Sequence, residues 1–232
     1  MTHVVRTAVL LLLLGLSPAL AWGLSIGQQD TFQDGTTNGW GVSLLDMSSP
    51  TPPVNVPGGG PGGATDSFLK ITSVTGVGPG NLLSAINIRQ WSGDYIAAGI
   101  SGIRMDLNNV GSTGLSLRVL LSDATGAAAA NAAFSTIPVL LPAGSGWVTE
   151  LFSIAPGDLT PGVGSVTAAL HNTVQLQLYH AVGATSAADS VTGTLGVDNI
   201  TATPGPSSAL LLGSGLLALY SLTTWRGRKP RA

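Results

Sequence analysis

The sequence contains no cysteine, and only 5% of its 232 residues are aromatic and 9% are charged. Without cysteine no disulfide can hold the fold, so stability must come from packing and, where one binds, from a metal ion. Once the two hydrophobic ends are set aside, about 180 residues remain, which is enough for one domain with its own core.

Catalytic motifs are also scarce. Glu150 is the single glutamate in the sequence, so the glutamate pair of many glycosidases is absent. His171 and His180 show no metal-ligand spacing. The glycine-rich residues 58–63 lack the lysine and the helix of a phosphate-binding loop. The sequence therefore predicts a protein that is not an enzyme; a β-sandwich hydrolase with paired acids in a cleft stays as an alternative.

The charges are distributed unevenly. Between residues 23 and 203, four basic residues stand against all eleven acidic residues, which gives this part a net charge of about −7. The four are Lys70, Arg89, Arg104 and Arg118. An acidic domain repels phosphate backbones, so nucleic acid is excluded as a partner.

The sequence is rich in turn-forming residues, with 32 glycines and 14 prolines. Apolar residues alternate with polar ones at residues 100–107, 115–120 and 174–179, as in half-buried strands. Further strands are expected at residues 39–45, 67–74, 82–89, 134–141, 147–154 and 193–202. Residues 48–66 are expected to form a long exposed loop, and residues 124–133 a helical turn or loop. The pattern predicts an all-β protein, an antiparallel β-sandwich over residues 22–203.

The N-terminus has the features of a signal peptide over residues 1–21. A basic start at Arg6 leads into an apolar run at residues 8–16, and Ala19-Leu20-Ala21 follows. Small residues at alternate positions are what signal peptidase requires, so we expect cleavage after Ala21. The alternative is an uncleaved N-terminal anchor.

The C-terminus, residues 204–232, combines three parts. Pro204-Gly205-Pro206 precedes an apolar stretch at residues 209–225, which at about 1.5 Å per residue spans roughly 26 Å as a helix. The chain closes with the basic residues Arg226, Arg228, Lys229 and Arg231. We expect a transmembrane helix whose basic end, residues 226–231, stays cytoplasmic, with the domain facing outward.

This order of parts resembles the PEP-CTERM sorting signal of Gram-negative bacteria. In that family a Pro-Glu-Pro motif precedes a short membrane helix and an arginine-rich tail, and Gly205 stands here where the family has glutamate. The resemblance implies processing by an exosortase. It also implies an exported, non-enzymatic protein that is first anchored in the inner membrane and then found at the cell surface or in the extracellular matrix, associated with exopolysaccharide and biofilm. A plain single-span anchor is the alternative.

The domain itself carries a second resemblance. Residues 30–40 resemble the opening strand, and residues 197–200 the closing strand, of galactose-binding-like and carbohydrate-binding-module jelly-rolls. Residues 91–95 are similar to a segment of laminin-B-type domains. The resemblance implies a jelly-roll sandwich, although a fold does not fix a function.

In many such jelly-rolls the opening and closing strands share a structural calcium ion. The resemblance therefore implies that Asp30, Asp34 and Asp198 supply carboxylates to a possible structural Ca²⁺. Alternatively, these acids cap turns and bond to the neighbouring backbone.

Carbohydrate binding is the second functional hypothesis. Exposed aromatic faces form sugar platforms, and Trp91, Tyr95 and Trp147 are the candidates, whereas Trp40 is expected in the core. The alternative for each tryptophan is a buried or edge-packing role.

Overall fold

The computed structural model describes residues 23–42, 49–74, 76–78 and 80–205. The predicted signal peptide at residues 1–21 lies outside these ranges. So do Pro206, the predicted membrane helix at residues 209–225 and the basic residues that follow it. Within the described ranges no helix is long and apolar enough to cross a membrane.

The regular structure of the described residues consists of strands, two short 3₁₀ helices (Gly126–Ala128 and Pro156–Asp158) and one α-helix, α1 (Val166–His171). The strands are β1 (Gln29–Asp30), β2 (Trp40–Gly41), β3 (Val54–Val56), β4 (Phe68–Ser73), β5 (Ser84–Asn87), β6 (Ile100–Asn109), β7 (Leu115–Ser122), β8 (Ala132–Ser135), β9 (Val139–Leu141), β10 (Trp147–Ser153), β11 (Leu159–Val163), β12 (Gln175–His180) and β13 (Gly193–Pro204).

The strands form two sheets. The first sheet has the order β10-β6-β13-β4-β3, with β1 also paired to β13. The second sheet has the order β11-β8-β7-β12-β5-β2, with β9 also paired to β7. Each strand pair within them is antiparallel. The predicted all-β, antiparallel sandwich is confirmed.

The core lies between the two sheets and follows the alternation of the sequence. On β12, Leu176 and Leu178 belong to the central hydrophobic cluster, whereas Gln175 and Gln177 lie on the outer face of the second sheet. On β4, Leu69 and Ile71 point into the same cluster. This two-residue period explains why strands with apolar alternation were predictable.

Three local features differ from the expectations. The expected loop at residues 48–66 contains β3, an edge strand that pairs with β4. The expected strand at residues 134–141 is two strands, β8 and β9, which are separated around Pro138, and proline cannot donate to a strand ladder. Helix α1 was not expected; Ser165 caps it by accepting a hydrogen bond from the backbone N–H of Ala168.

Candidate functional site

Two of the three predicted sugar contacts lie in the core. Trp91 and Tyr95 are both 0% exposed and belong to the central hydrophobic cluster. The hydroxyl of Tyr95 donates to the carbonyl of Trp91 at 2.9 Å, and burial raises the pKa of Tyr95. The prediction that Trp91 and Tyr95 contact sugar is wrong, because no face of either ring reaches the solvent. Trp40 is buried, as expected.

Asp30 explains how these indoles are buried without loss of hydrogen bonds. Its carboxylate accepts the Nε1–H of Trp40 at 2.8 Å and that of Trp91 at 2.7 Å, and the amide of Gln90 donates to both oxygens. Burial raises the pKa of Asp30, and the hydrogen bonds from the indoles and from Gln90 oppose that shift. The carboxylate is thus an internal acceptor of the core.

The other two predicted calcium ligands lie apart from this network. Asp34 is exposed and accepts the backbone N–H of Thr36 at 2.9 Å. Asp198 is fully buried; burial raises its pKa to about 7, with further contributions from the charges of Asp66 and Asp106.

The contacts of Asp30, Asp34 and Asp198 therefore do not join them into one ligand set. Across the described ranges, no three His, Asp or Glu side chains are grouped so that they could hold a metal ion. Calcium binding stays a prediction. Asp66 and Asp106, which the sequence did not single out, are the carboxylates beside Asp198.

Trp147 is the one predicted aromatic contact that reaches the surface, where it is half-buried on the outer face of the first sheet. Its Nε1–H donates to the carbonyl of Gly59 at 2.9 Å, and its ring meets Phe68 edge to face at 5.3 Å. A Cβ atom on Gly196 would lie 2.9 Å from the indole, so the ring packs directly on that glycine. These contacts attach the glycine-rich loop to the sheet, and a sugar contact at Trp147 stays a prediction.

The outer face of the second sheet carries an open groove of about 400 Å³. Its floor is formed by β7, β12 and β5, and its walls by the segments around residues 126–129 and 186–188. The lining residues are Leu82, Ser84, Leu120, Ser122, Gly126, Ala127, Ala129, Ala132, Gly162, Val163, Gln175, Gln177, Ser186, Ala187 and Ala188. None of these fifteen residues is charged.

Polar side chains on the floor form a hydrogen-bonded row. The amide of Gln175 donates to the side-chain oxygen of Gln177 at 3.2 Å, and the amide of Gln177 donates to the hydroxyl of Ser84 at 2.8 Å. Gln175 is 5% and Ser84 8% exposed, whereas Gln177 is half-buried. A primary amide has two N–H donors and two acceptor lone pairs, so Gln177 keeps capacity for a ligand and Gln175 and Ser84 hold it in place. The alternation at residues 174–179 indicates that these glutamines face outward, but nothing in the sequence marks them as ligand contacts.

A second concavity, which we call the edge cleft, lies where residues 29–39 meet the residues that follow β5. It has a volume of about 920 Å³ and is lined by Gln29, Asp30, Asp34, Thr36, Thr37, Asn38, Gly39, Arg89 and Gln90. Its charged surface residues are Asp34 and Arg89, which are both exposed. The edge cleft is thus polar and of mixed charge, in contrast to the groove.

No protein-family model and no curated protein sequence matches the chain. Solved structures do share its fold. A family 11 carbohydrate-binding module from Clostridium thermocellum, in complex with a β-1,3-1,4-mixed-linked tetrasaccharide, is 15% identical with a TM-score of 0.50. The match covers 78% of this chain and 98% of that chain. An exo-β-agarase is 14% identical with a TM-score of 0.50, over 78% of this chain and 26% of that one. At these identities the likeness shows the fold alone, a β-sandwich similar to that of the family 11 module.

Proposed function

We propose that this protein is a non-catalytic carbohydrate-binding protein, and that the groove on the second sheet binds a polysaccharide. The observation that carries the proposal is the uncharged groove, on whose floor the half-buried Gln177 is held by hydrogen bonds with Gln175 and Ser84. The row is already hydrogen-bonded, so the amides are oriented before a ligand arrives and little side-chain entropy is lost on binding.

The chemistry of the groove suits sugar rings. Sugar hydroxyls both donate and accept hydrogen bonds, and so do the amides and the serine hydroxyls of the floor. Val163, which is 46% exposed, adds apolar surface against which the C–H faces of a sugar can pack. Because the lining carries no charge, the ligand is neutral: a uronate or sulfate would bury its charge without a partner.

The fold is consistent with this role, since the family 11 module of similar fold was solved with a mixed-linked β-glucan fragment. The hydrolase alternative is weaker, because paired acids are missing from the groove lining. Of the two acids in the edge cleft, Asp30 is already bonded to two indoles.

The two ends of the chain carry the signals that we expect to determine the cellular location of the protein. Signal peptidase removes residues 1–21, and an exosortase-type enzyme recognises Pro204-Gly205-Pro206 in the inner membrane, so the domain reaches the cell surface or matrix and meets exopolysaccharide there. Intact-mass analysis of the protein from its native envelope and medium tests this proposal. Loss of residues 1–21 and of the chain after about Pro206 supports sorting, and retention of residues 209–232 contradicts it.

Affinity electrophoresis tests carbohydrate binding. We expect the full-length chain in mild detergent to be retarded in gels that contain a neutral polysaccharide, with mixed-linked β-1,3-1,4-glucan, agarose and matrix polysaccharide from the producing cells as the panel. Replacement of both Gln175 and Gln177 by alanine should abolish the retardation. Asn108→Ala, which removes an amide from the outer face of the first sheet, is the matched control. Unchanged migration of the wild-type chain on the whole panel would contradict the proposal.

A further inference from the structure

We infer that the groove and the edge cleft form one extended path for a single stretch of a linear, neutral polysaccharide, and that Arg89 contacts the part of the chain that leaves the groove. The inference rests on the proposed function and deepens it, because it specifies the length of ligand that the protein recognises.

Strand register joins the two concavities. Asn87 of β5 pairs with Leu176 of β12 on one side and with Trp40 of β2 on the other. The strands are antiparallel, so the residue after Asn87 lies between the residues before Leu176 and before Trp40. Gln175, Ile88 and Gly39 therefore form the next row across the sheet. Leu176 and Trp40 belong to the core, so by alternation their neighbours in this row face outward. Gln175 lines the groove and Gly39 lines the edge cleft.

The surface between them suits a sugar chain. Ile88 stands between Gln175 and Gly39 in that row and is 46% exposed, which is unusual for a large apolar residue beside a strand. Gly39 has no side chain to rise above the sheet. The row extends to Ser122 of β7, which pairs with Gln175. The groove also reaches Ala132 of β8 and Val163 of β11, so the path crosses six strands from β11 to β2 and is roughly 24 Å long at a spacing of about 4.8 Å.

Arg89 is positioned at the far end of this path. A Cβ atom on Gly39 would lie 2.9 Å from the Cδ of Arg89, so the aliphatic part of the arginine packs across the glycine. Gly39 has φ +76°, a conformation that side chains other than glycine rarely adopt, which preserves this close approach. The backbone N–H of Arg89 donates to the side chain of Asn87 at 2.9 Å.

The guanidinium of Arg89 is free to bind a ligand. The one ion pair recorded within the described ranges joins His171 to Asp94, so no acid of those ranges pairs with Arg89. A guanidinium carries five N–H donors, Arg89 lines the cleft, and sugar hydroxyls accept such bonds. Asp34 on the same rim offsets the charge of Arg89, so the rim has no net preference for an anionic sugar, in agreement with the uncharged groove.

Calorimetry with oligosaccharides of mixed-linked β-1,3-1,4-glucan tests the inference. We expect the full-length chain to bind a hexasaccharide at least tenfold more tightly than a trisaccharide. Arg89→Ala should remove most of that gain, about tenfold in Kd, and leave trisaccharide binding unchanged. Arg104→Ala is the matched control, because it removes the same charge from an exposed position on the first sheet. Ile88→Asp, in the middle of the path, should also weaken the hexasaccharide selectively.

The outcomes separate this inference from the function on which it rests. Equal affinity for the two lengths, or an Arg89→Ala variant that binds the hexasaccharide like wild type, overturns the extended path while groove binding stands. If neither oligosaccharide nor the parent glucan binds, both the inference and its premise fail for this class of ligand.

Discussion

The Nε1–H of Trp91 donates a 2.7 Å hydrogen bond to Oδ2 of Asp30 in the interior of the sandwich. The sequence offered Trp91 as a sugar contact, with burial as the alternative, and Asp30 as a calcium ligand, with turn capping as the alternative. Each instead satisfies the other, since a buried indole needs an acceptor and a buried carboxylate needs donors. This hydrogen bond connects β1 to Trp91, which lies sixty-one residues after Asp30 in the sequence.

Replacement of Asp30 by alanine should destabilise the protein strongly. It leaves the indole N–H groups of Trp40 and Trp91 buried without an acceptor, at a cost of about 1–3 kcal/mol each. We expect the free energy of unfolding to fall by about 3 kcal/mol in urea titrations. Asp34→Ala, on an exposed turn, should cost less than about 1 kcal/mol. Equal losses for the two variants would show that the network contributes little.

Variants of Trp147 distinguish the two candidate sugar-binding surfaces, which are the groove on the second sheet and the outer face of the first sheet. Trp147→Ala removes the bond to Gly59 and the ring contacts with Phe68 and Gly196, so we expect a loss of about 2 kcal/mol in unfolding free energy. Polysaccharide retardation should remain, because Trp147 lies on the first sheet and the groove on the second. Trp147→Phe keeps an aromatic ring and should lose only about 1 kcal/mol. Lost retardation in both folded variants would instead identify Trp147 as a sugar platform.

The sequence predicted the strands well and the site poorly, for physical reasons. Alternation along β7 and β12 is a local property, because each side chain faces either the core or the solvent. The groove is not local: Ser84, Ser122 and Gln177 become neighbours only when β5, β12 and β7 pair. Burial of Trp91 likewise depends on Asp30, and nothing near residue 91 in the sequence indicates that partner.

His180 should make the protein sensitive to mild acid. Its Nδ1 accepts the backbone N–H of Ser116 at 3.0 Å; burial lowers the pKa of His180, and Asp189 partly opposes this shift. Because the unfolded chain binds the proton more readily, this contribution to stability is complete above about pH 6.5 and is lost as the pH falls toward the lower folded pKa.

The comparison of wild type with His180→Gln checks this prediction. Asp30 and Asp198 have raised pKa values and give the opposite slope, since protonation favours their buried forms. Urea unfolding at pH 7.5 and at pH 5.5 should therefore show a larger acid loss for wild type than for His180→Gln. Identical pH dependence of the two proteins would contradict the assignment.

Thermal unfolding of wild type and of an Asp198 variant tests whether the protein binds calcium. If the ion binds at Asp198, the protein should be stabilised against thermal unfolding at pH 7.5 by about 2.7 kcal/mol when free calcium is a hundredfold above its Kd. EDTA should reverse the shift, and Asp198→Asn should abolish it. Asp123→Asn, in the loop after β7, should respond to calcium like wild type. An unfolding temperature that does not change with millimolar calcium would exclude the ion.

The most direct test of groove binding is the NMR response of the glutamine side chains. The experiment is a titration of ¹⁵N-labelled protein with mixed-linked β-1,3-1,4-glucan hexasaccharide. The side-chain amide signals of Gln175 and Gln177 should shift most. The backbone amide signals of Ser84 and Ser122 should shift with them. The indole signal of Trp147 should stay in place. Shifts confined to Trp147 and its neighbours, with both glutamines unmoved, would contradict the groove as the carbohydrate site.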